Sequence, residues 1–358
     1  MTFFFDCRFI RLDHHDGISR FSSELFAATS ERIEVTALIS DLGQLKHLPK
    51  GTAHLLVNDP KKPFQEFWLP RKLNGIGATV VFSPMQTMGS IGKKYRLILT
   101  LHDLIYYKHR KPPESLSWPI RLTWWIFHLS YAPVRILLNK ADAVVTISET
   151  TMGLIRDNRL TNRPVRVVSN ASSMPPVSSP HSSPKTRNLL YMGSYMPYKN
   201  VETLIRAMEL LPEYSLTLCS KIEQKRQSQL LKGITKEVSS RIRFANGVSD
   251  DEYQNLLDES FALVSASKDE GFGIPLIEAM SRAIPVVTSD IPIFLEVANG
   301  AGNFFDPVNP TGFADAVRKL EQSESWASAS KRSLDRSKHF DWNESARDLI
   351  KVVESLRN

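Results

Sequence analysis

Cysteine is nearly absent: 358 residues contain two, Cys7 and Cys219, far apart in sequence and each inside an apolar, strand-like run. A disulfide-stapled module is excluded, and the usual role of such a cysteine is that of a small buried hydrophobe in a reducing compartment. The N-terminal MTFFFDCRFI has no basic region leading into a long apolar stretch and no small-residue cleavage site. It reads as a first strand rather than an export signal, so a cytoplasmic location is expected, at the inner face of the cell membrane if membrane-bound. No Gly-x-Gly-x-x-Gly follows that strand, and GSIGKK (Gly89 to Lys94) lacks both the first glycine of a phosphate-binding loop and the hydroxyl residue after its lysine. Dinucleotide oxidoreductases and P-loop enzymes are thereby disfavoured. Asp-x-Asp does not occur, which argues against enzymes that hold nucleotide phosphates through a metal on two such carboxylates. His14 and His15, between Asp13 and Asp16, are adjacent on a loop, where side chains seldom chelate one ion, and no metal is expected. Signatures of nucleic-acid modules are missing too.

What is present is ordinary globular composition, 42% hydrophobic and 23% charged, in a chain long enough for two domains. The 45 lysines and arginines exceed the 38 acidic residues by seven, an imbalance that favours anionic partners: phosphorylated small molecules, acidic lipid headgroups or nucleic acid. Short apolar runs recur: TFFFD, EVTALIS, TVVFSP, RLILTLHD, DAVVTIS and VRVVSN, then NLLYMGS, YSLTLCS, RIRFANG, FALVSAS, IPVVTSD and GNFFDP. Helix-length segments between them predict two doubly wound α/β domains. These are residues 1–170 and 188–340, joined by a Ser/Pro-rich linker over 171–187. In open parallel sheets ligands bind beyond the carboxyl ends of the strands, so two such domains facing each other predict an interdomain cleft. The remaining residues, 341–358, show helical apolar spacing at Trp342, Ala346, Leu349, Ile350 and Val353 and are read as a helix packing across the domain junction.

The most informative segment is KDEGFGIPLIEAMSRAIPVVTSD, Lys268 to Asp290. A strand runs into Glu270, Gly271, Phe272 and Gly273, after which Pro275 suits the opening of a helix that carries Glu278. The start of a helix preceded by small residues offers unpaired N–H groups and a positive dipole end to a phosphate. The Glu270-x7-Glu278 spacing within EGFGIPLIEA resembles the signature of family 4 retaining glycosyltransferases, which have the two-Rossmann-domain GT-B fold. YMGSYMPYKNVETLIRAM (Tyr191 to Met208), GVSDDEYQNLL, IPVVTSDIPIFLEV, GISRF (Gly17 to Phe21), TLHDLIYY (Thr100 to Tyr107), ADAVVTISETT and VVSNAS are similar to further landmarks of that family. The likeness covers nearly the whole chain, and the His-Asp-Leu segment is most like members that transfer mannose.

That resemblance implies a metal-independent retaining hexosyltransferase whose donor is a nucleotide-diphosphate sugar, GDP-mannose favoured, and whose acceptor is a glycan or a lipid-linked glycan. By the same likeness Glu278 binds the ribose hydroxyls and Glu270 those of the donor sugar, roles that suit a carboxylate facing a diol. Phe272, Gly273 and Ile274 offer backbone N–H groups, with Gly271 beside them. Lys199 neutralises the diphosphate, His102 stands near the reacting face of the sugar, and Gly17 lets the first loop approach the phosphates. Gly193 and Ser194 border the diphosphate, and Gly247 and Val248 border the base. Many members carry an arginine where Ser194 stands, leaving Arg20, Arg243 or Lys268 as replacements. A nucleotide-sugar epimerase, a phosphorylase of the same fold and a non-catalytic sugar-binding protein share parts of the pattern. Trp118 to Tyr131, rich in tryptophan and bordered by Arg121 and Arg135, suits either the core of a first-domain helix or peripheral contact with a bilayer surface, and it is too interrupted to span one.

Overall fold

All twelve apolar runs form strands, and the central ones are apolar without alternation because both their faces are buried in a parallel sheet. The structure, a computed structural model, describes residues 2–13, 15–110 and 118–356; His14 lies outside the described residues. The chain divides into two compact units, Met1–Ala171 with Asp341–Asn358, and Ser172–Phe340.

The first unit is built on seven strands: β1 (Phe3–Asp6), β2 (Thr36–Ile39), β3 (His54–Leu56), β4 (Val80–Ser83), β5 (Arg96–Leu101), β6 (Ala143–Thr146) and β7 (Val165–Val167). Their order is β3-β2-β1-β4-β5-β6-β7, and every pair is parallel. Phe5 lies opposite Ala37 on one side and Phe82 on the other, with its ring 4.7 Å from that of Phe82. The short edge strand β3 has no counterpart among the runs, since it spans three residues and two of them are exposed.

The second unit has six parallel strands: β8 (Asn188–Tyr191), β9 (Ser215–Leu218), β10 (Ile242–Phe244), β11 (Ala262–Ser265), β12 (Val286–Ser289) and β13 (Gly302–Phe305). They are ordered β10-β9-β8-β11-β12-β13. Both sheets reverse their strand order beside the first strand of the unit, at β1/β4 and at β8/β11. Those are the switch points where the loops splay apart and ligands of such sheets bind.

One segment differs from the sequence reading. The stretch 171–187, read as a linker, belongs from Ser172 onward to the second unit and is strapped to it. Val177 N–H donates to the Ser281 carbonyl at 2.9 Å, His181 N–H to Ser330 Oγ at 2.9 Å, and Arg282 Nη1 to the Pro175 carbonyl at 2.8 Å. Serine and proline disfavour helix and central strand, but they leave the backbone free to bond to neighbouring helices. The terminal helix Trp342–Ser355 is part of the first unit, where it packs along helix Gly17–Ser30. Its Trp342 ring lies 6.1 Å from Phe21, and Ser345 Oγ donates to the Ser169 carbonyl at 2.7 Å.

Candidate functional site

In the second unit the loops beyond β8 and β11 are stitched together at the switch point. The first runs through Gly193 and Ser194 into a short 3-10 turn, Pro197–Lys199. Gly193 is required there: a Cβ would stand 2.7 Å from the hydroxyl of the buried Tyr191, which donates to the Ser194 carbonyl at 2.7 Å. Ser194 itself is exposed. Asn200 follows in the left-handed region at φ 53° and is 6% exposed. Its Nδ2 donates to the carbonyls of Ala266, at 3.0 Å, and Pro307, at 2.6 Å, so one amide ties the ends of β8, β11 and β13 together. The N–H of Lys268 donates to the Tyr198 carbonyl at 2.7 Å.

Those bonds bring Lys199 to Glu270, 71 residues away in sequence. Lys199 Nζ forms an ion pair with Glu270 Oε2, with side-chain exposures of 14% and 17%, and it lies 5.6 Å from the centre of the Tyr198 ring. Three residues beyond Glu270, Gly273 caps helix Ile274–Ser281 at φ 97°, ψ 49°. Helix geometry leaves the N–H groups of the first turn unpaired toward that loop, and a Cβ at Gly273 would meet Phe294 at 2.8 Å. Pro275 occupies the first turn, where a missing N–H costs nothing. Phe272 is buried with its ring edge-on to Phe340, Gly271 N–H donates to Glu270 Oε1 at 3.3 Å, and Ile274 begins the helix. Glu278, one turn in, is 4% exposed.

Gly247 and Val248 lie between β10 and helix Asp250–Glu259, whose start is fixed by a reciprocal cap between Ser249 and Glu252. Gly247 N–H donates to the Cys219 carbonyl at 2.9 Å. Both cysteines are free and buried, and burial pushes the Cys219 thiol up to about 12. Of the three cations considered as replacements for an arginine at Ser194, Lys268 is exposed on the Glu270 loop, Arg243 is on β10, and Arg20 belongs to the first unit.

His102 and Gly17 also belong to the first unit. His102 follows β5 with its ring edge-on to Phe21 at 5.0 Å, and its Nε2 lies 2.7 Å from the Pro84 carbonyl. A carbonyl only accepts, so Nε2 carries the proton and Nδ1 the lone pair. Burial pushes its pKa down to about 4, against the opposing effects of that hydrogen bond and of Asp16. Gly17 is the first residue of helix Gly17–Ser30, capped by Asp16, whose carboxylate accepts from Ser19 N–H at 2.9 Å. His15 is hydrogen-bonded to Ser19 and to His47. No group of three His, Cys, Asp or Glu side chains among the described residues is arranged to hold a metal.

Sequence reasoning missed Arg8. It lies two residues past β1 and forks onto Asp6, with Nε 2.8 Å from Oδ1 and Nη2 2.9 Å from Oδ2, while Nη1 reaches Glu66 at 2.5 Å. Burial works against its charge, yet the two carboxylates hold its proton more tightly than water would. The pair Asp6 and Arg8 at the end of an apolar strand was the available signal.

Residues 178–338 match the family described as Glycosyl transferases group 1. That match lies within the second unit and covers under half of the chain. Over 140 residues the chain is 32% identical to the O-antigen chain mannosyltransferase RfbU of Salmonella typhimurium, covering 38% of this chain and 39% of that protein. It is 26% identical over 212 residues to the GDP-mannose:cellobiosyl-diphosphopolyprenol alpha-mannosyltransferase of Xanthomonas oryzae, covering 55% and 56%. The matches thus span less than two-thirds of either relative. Anabaena HepE, solved with UDP and glucose, superposes with a TM-score of 0.73 at 17% identity, covering 99% of this chain and all of that one. The last likeness is one of fold: two Rossmann-like domains, as the resemblance to family 4 glycosyltransferases implied.

Proposed function

We propose that the chain is a retaining hexosyltransferase that moves mannose from a nucleotide-diphosphate sugar, GDP-mannose favoured, to a glycan or lipid-linked glycan at a membrane surface. The observation that carries this reading is the convergence of the Lys199 ammonium, the Glu270 carboxylate and the start of helix Ile274–Ser281 on one loop cluster. The mannosyltransferase relatives support the sugar and the lipid-linked acceptor.

Lys199 and the N–H groups of Phe272, Gly273 and Ile274 would bind the diphosphate, with Gly193 and Ser194 at its edge. Glu270 would accept hydrogen bonds from the sugar hydroxyls, Glu278 from the ribose, and the loop at Gly247 and Val248 would border the base. The bond from the anomeric carbon to the phosphate oxygen breaks, and its electron pair stays on the departing diphosphate, where positive charge and N–H dipoles stabilise it. The acceptor oxygen attacks the same face and passes its proton to the leaving phosphate oxygen, so the anomeric configuration is retained. The neutral His102 would accept a hydrogen bond at Nδ1 rather than act as a cation, with Gly17 leaving room beside it. Without an Asp-x-Asp pair, the reaction is expected to survive chelation by EDTA.

The test is nucleotide release measured with and without a diphosphate-linked glycan acceptor, with product anomers read by NMR. Acceptor-dependent release from GDP-mannose with an α product supports the proposal. Consumption of inorganic phosphate would indicate a phosphorylase, a changed donor sugar without acceptor an epimerase, and tight donor binding without turnover a binding protein. A thermal-shift comparison of GDP-, UDP- and ADP-sugars selects the base, because a ligand stabilises the fold in proportion to the logarithm of its occupancy.

A further inference from the structure

The positive charge of the chain is not spread evenly. Residues 55–140 hold thirteen lysines and arginines against four acidic residues, while the rest of the sequence has slightly more acid than base, 34 against 32. The same segment, all in the first unit, holds thirteen of the eighteen large hydrophobic side chains exposed among the described residues. Exposed apolar side chains set among polar and charged residues mark an interaction surface.

Their arrangement is ordered. In helix Trp118–Phe127 and the turn after it, Trp124 and His128 face inward, with rings 4.7 Å and 5.9 Å from that of Tyr106. Trp118, Leu122, Trp125 and Leu129 recur at the spacing of one helical face, with Ile126 beside them, and all five are exposed. The helix therefore turns an apolar face outward. A cavity of about 240 Å³ joins exposed Phe67 and Ile91 to Leu137 and Lys140, on or beside helix Ala132–Asn139, which exposes Ile136. Exposed cations lie in the same segment: Lys61 and Lys62 before the turn Pro63–Phe67, Arg71 over the Trp68 ring at 4.8 Å, Lys94 near Ile91, and Lys140.

We propose that this segment of the first unit docks on an anionic lipid bilayer, with the aromatic and aliphatic side chains in the headgroup boundary and the lysines and arginines on lipid phosphates. Charge complementarity selects this occupant, since a polybasic apolar surface gains from both the anionic surface potential and apolar burial. Among the described residues no helix is long and apolar enough to cross a membrane, so this contact would lie in the interface plane. The proposal deepens the reading of a lipid-linked acceptor, but its test needs no donor and no turnover, so either can fail alone.

The test is co-sedimentation of the full chain with vesicles of phosphatidylcholine, with and without phosphatidylglycerol, and quenching of tryptophan fluorescence by brominated lipid. Binding is expected only with phosphatidylglycerol and should weaken as salt rises. Reversal of Lys61, Lys62 and Lys94 to Glu should weaken it by at least about fivefold per site. The double variant Trp118→Ala and Trp125→Ala should weaken it roughly tenfold or more and reduce the quenching, with Trp68 left as the reporter. All these side chains are exposed, so melting temperatures should stay unchanged. Equal binding to neutral vesicles, full binding by either variant set, or lipid-free self-association abolished by the same substitutions would overturn the proposal, the last by assigning the segment to a second copy.

Discussion

Each sheet carries a cation among carboxylates at its switch point, and the two are built differently. Beyond β1, Arg8 is fully buried, forked onto both oxygens of Asp6, and further bonded to Glu66 and the Asn58 carbonyl. Ser83 Oγ donates to Asp6 at 3.1 Å, and Glu66 also accepts from Asn58 Nδ2 and Gly89 N–H, so this charge cluster is extensively hydrogen-bonded. Beyond β8, Lys199 pairs with Glu270 at a partly exposed position. The first cluster pins the loops after β1, β3 and β4. The second leaves an ammonium with donors to spare where a phosphate could exchange for a carboxylate. A rigid planar guanidinium suits the sealed role and a compact ammonium the exchangeable one.

The sharpest way to break this contrast is to remove Arg8. Arg8→Met leaves the buried Asp6 and the partly buried Glu66 without their counter-charge, and a loss of about 3–5 kcal/mol in urea unfolding of the first unit is expected. Nucleotide binding by the folded second unit should persist, and an unchanged midpoint would erase the distinction. Lys199→Ala should do the reverse. Nucleotide release should fall roughly 10²–10³-fold if the ammonium stabilises the leaving group, as for loss of one such donor elsewhere. Stability should fall by less than for Arg8→Met, because the Lys199–Glu270 pair keeps some solvent contact on both sides while the Arg8 and Asp6 side chains have none. A variant that unfolds while its residual turnover is normal would make Lys199 another structural cation.

The legibility of the sequence differs between the two regions for the same reason. All six runs of the second half became strands, and Glu270, Gly273 and Pro275 fall on the loop and helix start where their spacing put them, because strand burial and helix capping are local rules. The pairing of Lys199 with Glu270 was not readable from spacing, since it depends on the order β8-β11. Asn200 was visible only as part of a motif, its clamp on Ala266 and Pro307 being wholly tertiary. Arg8 reads as an ordinary charge after a strand, because its partner Glu66 is 58 residues away. The strap over 171–187 was misread because composition reports the absence of regular structure rather than the absence of partners.

His102 extends the contrast to a group kept neutral by burial. Its folded pKa of about 4 lies below the ordinary 6.5, so the unfolded chain binds the proton more readily. The stabilisation is complete above pH 6.5 and is lost as the pH falls toward 4, an effect on the order of 2–3 kcal/mol. His102→Gln, which keeps an N–H for the Pro84 carbonyl, should flatten the urea midpoint over that window. A wild-type midpoint already flat from pH 7 to 4 would show that the ring protonates freely in the folded state.

The smallest effect is expected at Asn200. Glycine adopts the left-handed backbone there without strain, so Asn200→Gly isolates the amide from the turn, removes the Asn200 donor from the Ala266 carbonyl and leaves the Pro307 carbonyl with Thr203 Oγ1. The cost should be about 1–2 kcal/mol in the second unit. The informative readout is the split between the Michaelis constant and the turnover number. If Asn200 holds Lys199 in place across the switch point, turnover should fall several-fold more than donor affinity, because a displaced ammonium still attracts the diphosphate but no longer sits where charge develops on the leaving oxygen. Loss of stability with both kinetic constants intact would make the clamp a fastening of β13 alone.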